Sequence, residues 1–216
     1  MRIQAGSRLV MIGDSITDVQ RARPLGERPF GGLGAGYVNL VDALLGACHA
    51  PLAIRVTNVG VSGNTVRDLK GRWQTDVLDL APDWVSVMIG INDVWRQFDC
   101  PLATERHVLP AEYEETLDGL VASTLPAVRG MVLMTPYYIE ADKADAMRAQ
   151  MDRYGAIVRR VAEKRGAILV DSQAAMDEVL ATYYPASLAW DRVHPNAVGH
   201  MVLARAFLRA LDFRWE

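Results

Sequence analysis

Two serines and one histidine–aspartate pair have the residue types and spacing that acyl-transfer chemistry requires. Ser15 lies in Leu9 to Asp18, LVMIGDSITD, directly after an apolar run and beside Asp14. Ser62 lies in Gly60-Val61-Ser62-Gly63-Asn64, which resembles the G-x-S-x-G nucleophile elbow but carries Asn64 where the last glycine belongs. A serine hydroxyl is a weak nucleophile until a base such as imidazole takes its proton. His194 sits in Trp190-Asp191-Arg192-Val193-His194-Pro195, ahead of a helix start marked by Pro195. From three residues away, Asp191 can reach the ring Nδ1 hydrogen, fix the tautomer and stabilise the imidazolium. The competing reading of this loop is an aspartate that caps the last helix beside a bystander histidine. The other histidines read as solvated residues (His49, His107) or as a polar-face or capping residue inside the last helix (His200). On spacing alone the choice between Ser15 and Ser62 stays open.

The elements that must position these groups alternate. Apolar runs at Arg8 to Ile12, Ala53 to Val59, Trp84 to Ile89, Gly130 to Thr135 and Ala167 to Val170 have the composition of strands buried on both faces. Segments with helical spacing separate them: Tyr37 to Leu45, Thr65 to Leu80, Glu112 to Leu125, Asp142 to Arg165, Ser172 to Leu180 and Pro195 to Leu211. This alternation predicts an α/β fold, a parallel five-stranded sheet covered by helices. In such sheets ligands bind beyond the carboxyl ends of the strands. There the chain carries Gly13-Asp14-Ser15, Gly60-Val61-Ser62-Gly63-Asn64 and Gly90-Ile91-Asn92-Asp93. Turn chemistry explains any one of these clusters, but three at one sheet edge point to a site.

The remaining composition excludes other classes. With 216 residues, no internal repeat and no Pro/Ser-rich linker, residues 1–216 read as a single domain. The net charge of −3, from 23 basic and 26 acidic residues without a basic run, argues against nucleic acid. The short apolar run of MRIQAGSRLVMIG lacks the features of a signal peptide, and no stretch suits a membrane span, so cytoplasm is the expected location. Cys48 and Cys100 read as reduced thiols without zinc-type spacing. The Gly-rich stretch Gly26 to Tyr37 follows no strand and reads as a mobile surface loop rather than a phosphate cradle. Exposed aromatics and the Trp215-bearing C-terminus suggest a homo-oligomer.

Taken together, Gly13-Asp14-Ser15 (with Ile16 following), Gly63, Gly90-Ile91-Asn92-Asp93 and Asp191-Arg192-Val193-His194 resemble the four blocks of the SGNH, or GDSL, hydrolases. The resemblance implies a three-layer, doubly wound, flavodoxin-like sandwich. It also implies Ser15 as nucleophile, His194 as general base and Asp191 as its orienter. Gly63 and Asn92, with the Ser15 N–H, become the oxyanion-hole donors, and Ser62 becomes a turn residue. Within the family the chain is most similar to bacterial intracellular acetylxylan esterases, through SGNTVRDLKGRW, PDWVSVMIGINDVWRQ, MTPYYIE and LAWDRVHPNAVGHMVLARAFL. That likeness implies deacetylation of a small acetylated sugar or oligosaccharide, with no cofactor and no metal. Trp95 and Trp190 are placed to offer flat faces to the sugar, although core packing explains either, and Arg96 and Tyr184 are weaker substrate-binding candidates. Alternatives are a carboxylesterase or thioesterase of the same family, a metal-dependent phosphohydrolase using Asp14, Asp18, Asp93 and Asp191, and a non-catalytic flavodoxin-like binding module.

Overall fold

The computed structural model describes residues 1–215. Five strands, β1 (Arg8–Gly13), β2 (Arg55–Asn58), β3 (Trp84–Met88), β4 (Gly130–Met134) and β5 (Ile168–Val170), form one sheet in the order β2-β1-β3-β4-β5. Every pairing is parallel. Strands in the middle of such a sheet have no solvent face, which is why β3 is buried along its whole length and β1 along all but its first residue.

The helices are α1 (Ser15–Asp18), α2 (Tyr37–His49), α3 (Val66–Asp76), α4 (Ile91–Asp99), α5 (Pro110–Thr124), α6 (Ala146–Arg165), α7 (Ser172–Leu180), α8 (Pro185–Leu188) and α9 (Ala197–Ala210). One layer packs α9 against α2 and α7; the other packs α5 against α3 and α6, with α4 also on α6. Buried side chains from both layers and the sheet join into one apolar core, including Leu9, Met11, Val85, Leu133, Tyr154 and Phe207. The expected three-layer α/β sandwich is the observed one.

Several boundaries differ from the expected ones, each for a local reason. β2 begins at Arg55 because Ala53 adopts a left-handed conformation (φ 46°) closing a 3₁₀ turn. α3 stops at Asp76, and Leu78–Leu80 forms a separate 3₁₀ turn. α6 begins at Ala146, where the Asp145 side chain accepts from the Arg148 N–H. The short α1 and α4 start in what read as polar turns, and α8 falls between Leu180 and Pro195, where no element was expected. The stretch Gly26 to Tyr37, expected as a mobile surface loop, is instead packed. Gly26 bridges Asn58, Arg28 pairs with Asp42 at 2.6 Å and Leu33 is buried, leaving Phe30 exposed at its tip.

Candidate active site

The strand order reverses between β1 and β3, so the crevice beyond their carboxyl ends is where this topology places a ligand. Their register sets Gly13 level with Met88, and the chains leaving both strands emerge side by side. Gly13 is required for that closeness: a Cβ there would lie 2.3 Å from Thr17 Oγ1 and 2.4 Å from the Met88 carbonyl. The chain then turns at Asp14, whose Oδ1 accepts from the Ile16 N–H at 3.0 Å and caps α1. Ser15 is the first residue of that helix.

Facing it, His194 brings Nε2 to 2.8 Å from Ser15 Oγ, while its Nδ1 lies 2.6 Å from Asp191 Oδ2. Asp191 accepts the Nδ1 hydrogen, so Nε2 is left as the acceptor for the serine proton. The other oxygen, Asp191 Oδ1, accepts from the Val193 and His194 N–H groups at 3.0 and 2.9 Å, folding the loop around the carboxylate. Burial opposes charge on Asp191, but the bonds from His194 and Val193 outweigh it and hold its carboxyl below the ordinary range. Arg192 occupies the left-handed region (φ 61°), and two contacts hold it there: its Nη1 donates to Glu140 at 2.7 Å, and its carbonyl accepts from the Ile139 N–H at 2.9 Å. The last helix is capped by Asn196, whose Oδ1 accepts from Val198 and Gly199. Asp191 therefore does not cap it, and the bystander reading of the pair is corrected.

Ser62 points elsewhere. Its N–H and Oγ both donate to Asp18 Oδ2, at 3.1 and 2.9 Å, and Arg23 donates to the same oxygen at 2.7 Å. The loop after β2 instead delivers Gly63, whose φ of +83° falls in the region that glycine enters without strain. A Cβ on Gly63 would meet nothing within 4 Å, so its backbone borders open space. Among the described residues, neither the Ser15 nor the Gly63 N–H has an internal acceptor. Asn92, buried in the first turn of α4, donates one amide hydrogen to the Asn64 carbonyl at 2.9 Å, and its Oδ1 accepts from Arg96 Nη2 at 3.2 Å. That arrangement fixes which way the amide faces and leaves its second N–H unused. Asn64, the residue that breaks the G-x-S-x-G pattern, also binds Arg72 Nε at 2.7 Å through Oδ1. Arg72 donates in addition to the carbonyls of Gly13 (3.0 Å) and Val59 (2.7 Å), tying the β1 and β2 exits together. Its one local partner, Asp76 at 2.7 Å on the same helix, reads as an ordinary i,i+4 pair, and the groups that give it this role lie outside that helix.

Two buried carboxyls lie beneath these groups. Burial raises Asp14 to about 7, against the Ile16 N–H and the charge of His194. Asp93 is likewise raised by burial to about 7, against its bond from the Val66 N–H (3.0 Å). His200 is buried rather than on a polar face, a correction to the expectation. Its Nδ1 accepts from the Tyr37 N–H at 3.2 Å, so it caps α2 instead of its own helix. Burial first, then the neighbouring His194, lowers it to about 4.

The substrate-binding candidates separate. Trp190 is 88% exposed, so core packing does not account for it. Trp95 is half-buried against the core, with its ring 6.0 Å from that of His194 and Arg96 Cζ 5.1 Å above its face. Arg96 is engaged by Asp99 and Asn92. Tyr184 is exposed at the start of α8, where its carbonyl accepts from the Ser187 Oγ at 2.6 Å and the Ser187 N–H at 2.9 Å. The acids of the metal reading do not converge: Asp14 turns to Ile16, Asp18 to Arg23 and Ser62, Asp93 to Val66 and Asp191 to His194. Among the described residues no group of three His, Cys, Asp or Glu side chains is arranged to hold a metal.

Comparison with known proteins agrees with this geometry. An acetylxylan esterase of Geobacillus stearothermophilus is 59% identical over 215 residues, covering 100% of this chain and 98% of that protein. Its crystal structure superposes with a TM-score of 0.99 over the same shares of the two chains. Solved catalytic mutants of that enzyme replace a serine, a histidine and an aspartate by alanine. An alpha/beta hydrolase from the metagenome of Lake Arreo, Spain, is 58% identical, with 98% of each chain covered and a TM-score of 0.96. The model of the GDSL-like lipase/acylhydrolase family matches residues 11–202, and the chain belongs to that family.

Proposed function

We propose that this protein is a serine esterase that removes acetyl groups from carbohydrates, with acetylated xylo-oligosaccharides as substrate. The observation that carries the reading is the Ser15–His194–Asp191 relay, with its 2.8 and 2.6 Å contacts, at the switch point of the sheet. Full-length identity to an acetylxylan esterase supports the choice of acyl group and alcohol. Ser15 Oγ attacks the acetyl carbonyl while its proton passes to His194 Nε2. The oxyanion is met by the N–H groups of Ser15 and Gly63 and the Asn92 amide, and removing one such donor typically costs ~10²- to 10³-fold. Collapse breaks the ester bond, His194 returns the proton to the departing sugar oxygen, and acetyl-Ser15 remains. Water then attacks that ester, giving its proton to His194; as the intermediate collapses, the bond to Ser15 Oγ breaks, His194 returns the proton to that oxygen, and acetate leaves.

Trp190, exposed beside Asp191, and Trp95 offer the sugar its apolar faces. The reading includes one catalytic domain over residues 1–216. It also includes a cytoplasmic location, supported by the unpaired Cys48 and Cys100, and a homo-oligomer, supported by the exposed Phe30, Leu102 and Trp215. No helix is long and apolar enough to cross a membrane among the described residues. The test is turnover of a small aryl acetate, then of acetylated xylose against longer acyl esters. Ser15→Ala is expected to lower the rate by ~10⁴-fold or more. Intact turnover by that variant, or a preference for octanoyl and longer chains, would overturn the proposal.

A further inference from the structure

A cavity of about 290 Å³ adjoins the oxyanion hole, lined by Gly63, Thr65, Arg67, Asp68, Arg96 and Arg106. Three of its six lining residues are arginines, and they differ in what holds them. Arg67 forms an ion pair with Glu112 and donates to the carbonyls of Glu105 (2.8 Å) and His107 (3.0 Å). Arg67 is thus a brace, fixing the backbone on either side of Arg106. Arg96 is balanced by Asp99 and turned toward Asn92. The lone acid of the lining, Asp68, accepts from the Thr65 N–H (2.8 Å) and hydroxyl (2.7 Å). Arg106, on the 3₁₀ turn Thr104–Arg106, has no acidic partner among the described residues and makes no side-chain hydrogen bond there.

An uncompensated guanidinium on a braced turn, in a cavity that shares Gly63 with the proposed oxyanion hole, is suited to a planar anion. We propose that this cavity is a subsite for a carboxylate carried by the sugar part of the substrate, with Arg106 as its main contact. The preferred substrates are then acetylated oligosaccharides substituted with a uronic acid. The inference rests on the esterase reading and deepens it by naming the alcohol. The cavity lies on the side of the hole formed by α3 and α4, while Trp190 stands on the loop that carries His194, so the acetylated ring would span from Trp190 toward the arginines.

The test compares kcat/KM for an acetylated neutral xylo-oligosaccharide with that for its uronic-acid-substituted counterpart, at low and high salt. In the native enzyme the acidic-to-neutral ratio is expected to exceed one and to fall with salt. Arg106→Ala and Arg106→Glu should lower that ratio about tenfold or more, equivalent to about 1.4 kcal/mol. Arg205→Glu, the same charge reversal on α9 outside the cavity, should not. A ratio that stays at the native value in both Arg106 variants, or falls as much in Arg205→Glu, overturns the subsite while leaving the esterase standing. Failure of the native enzyme to deacetylate either substrate overturns the esterase reading and the subsite with it.

Discussion

Asp93 offers a quantitative test of the buried carboxyls beneath the site. Its Oδ1 accepts from the Val66 N–H, while its Oδ2 is buried without a partner. Burial, with the charge of Asp14 adding to it, raises its pKa from an ordinary 3.8 to about 7. Between those two values the folded chain retains a proton that the unfolded chain has released, so the folded state loses stability as pH rises through the window. From about pH 5 to about pH 8 this group alone removes about 2–3 kcal/mol. Asp93→Asn keeps an oxygen for the Val66 N–H and cannot ionise. Its stability relative to the native protein should therefore improve by that amount across the same range. Urea unfolding of both proteins at the two pH values measures the difference, and His200, present in both, cancels. A native-minus-variant difference that is constant with pH would refute the assignment of the raised pKa to Asp93.

Two further substitutions address the relay and its rival serine. Asp191→Asn retains an oxygen for the Val193 and His194 N–H groups but presents an amide hydrogen to Nδ1, forcing the tautomer whose Nε2–H faces Ser15. Aryl-acetate turnover should fall ~10³- to 10⁴-fold with the fold intact, as in the serine-protease template, and a loss under tenfold would count against the relay. Ser62→Ala removes one hydrogen bond to the Asp18 carboxylate, costing about 1–2 kcal/mol in thermal or urea unfolding. Its turnover should stay within the native order of magnitude, whereas a loss matching that of Ser15→Ala would transfer the nucleophile's role to Ser62.

Much of this architecture follows from the sequence alone. Five doubly apolar runs separated by helical spacing determine a parallel sheet, because a strand covered on both faces cannot alternate. Asp191 and His194 are legible as a pair because their contact is local: three residues suffice for a carboxylate to close on its own loop's N–H groups and on the imidazole. The starts of α1 and α4 were not legible, since Asp14-Ser15 and Asn92-Asp93 are turn residues as well as helix-start residues. Residue types and spacing left the choice between the serines open, the family resemblance implied Ser15, and the tertiary structure adds a physical reason for it. Ser15 and His194 are 179 positions apart, and the register of β1 on β3 is part of what brings them together. Ser62 is turned away because Asp18, at the end of α1, takes both of its donors. The exposure of Trp190, the burial of His200 and the freedom of Arg106 were likewise decided in three dimensions. Each depends on which distant groups pack alongside, and the residue types of neighbours in the chain carry no record of that.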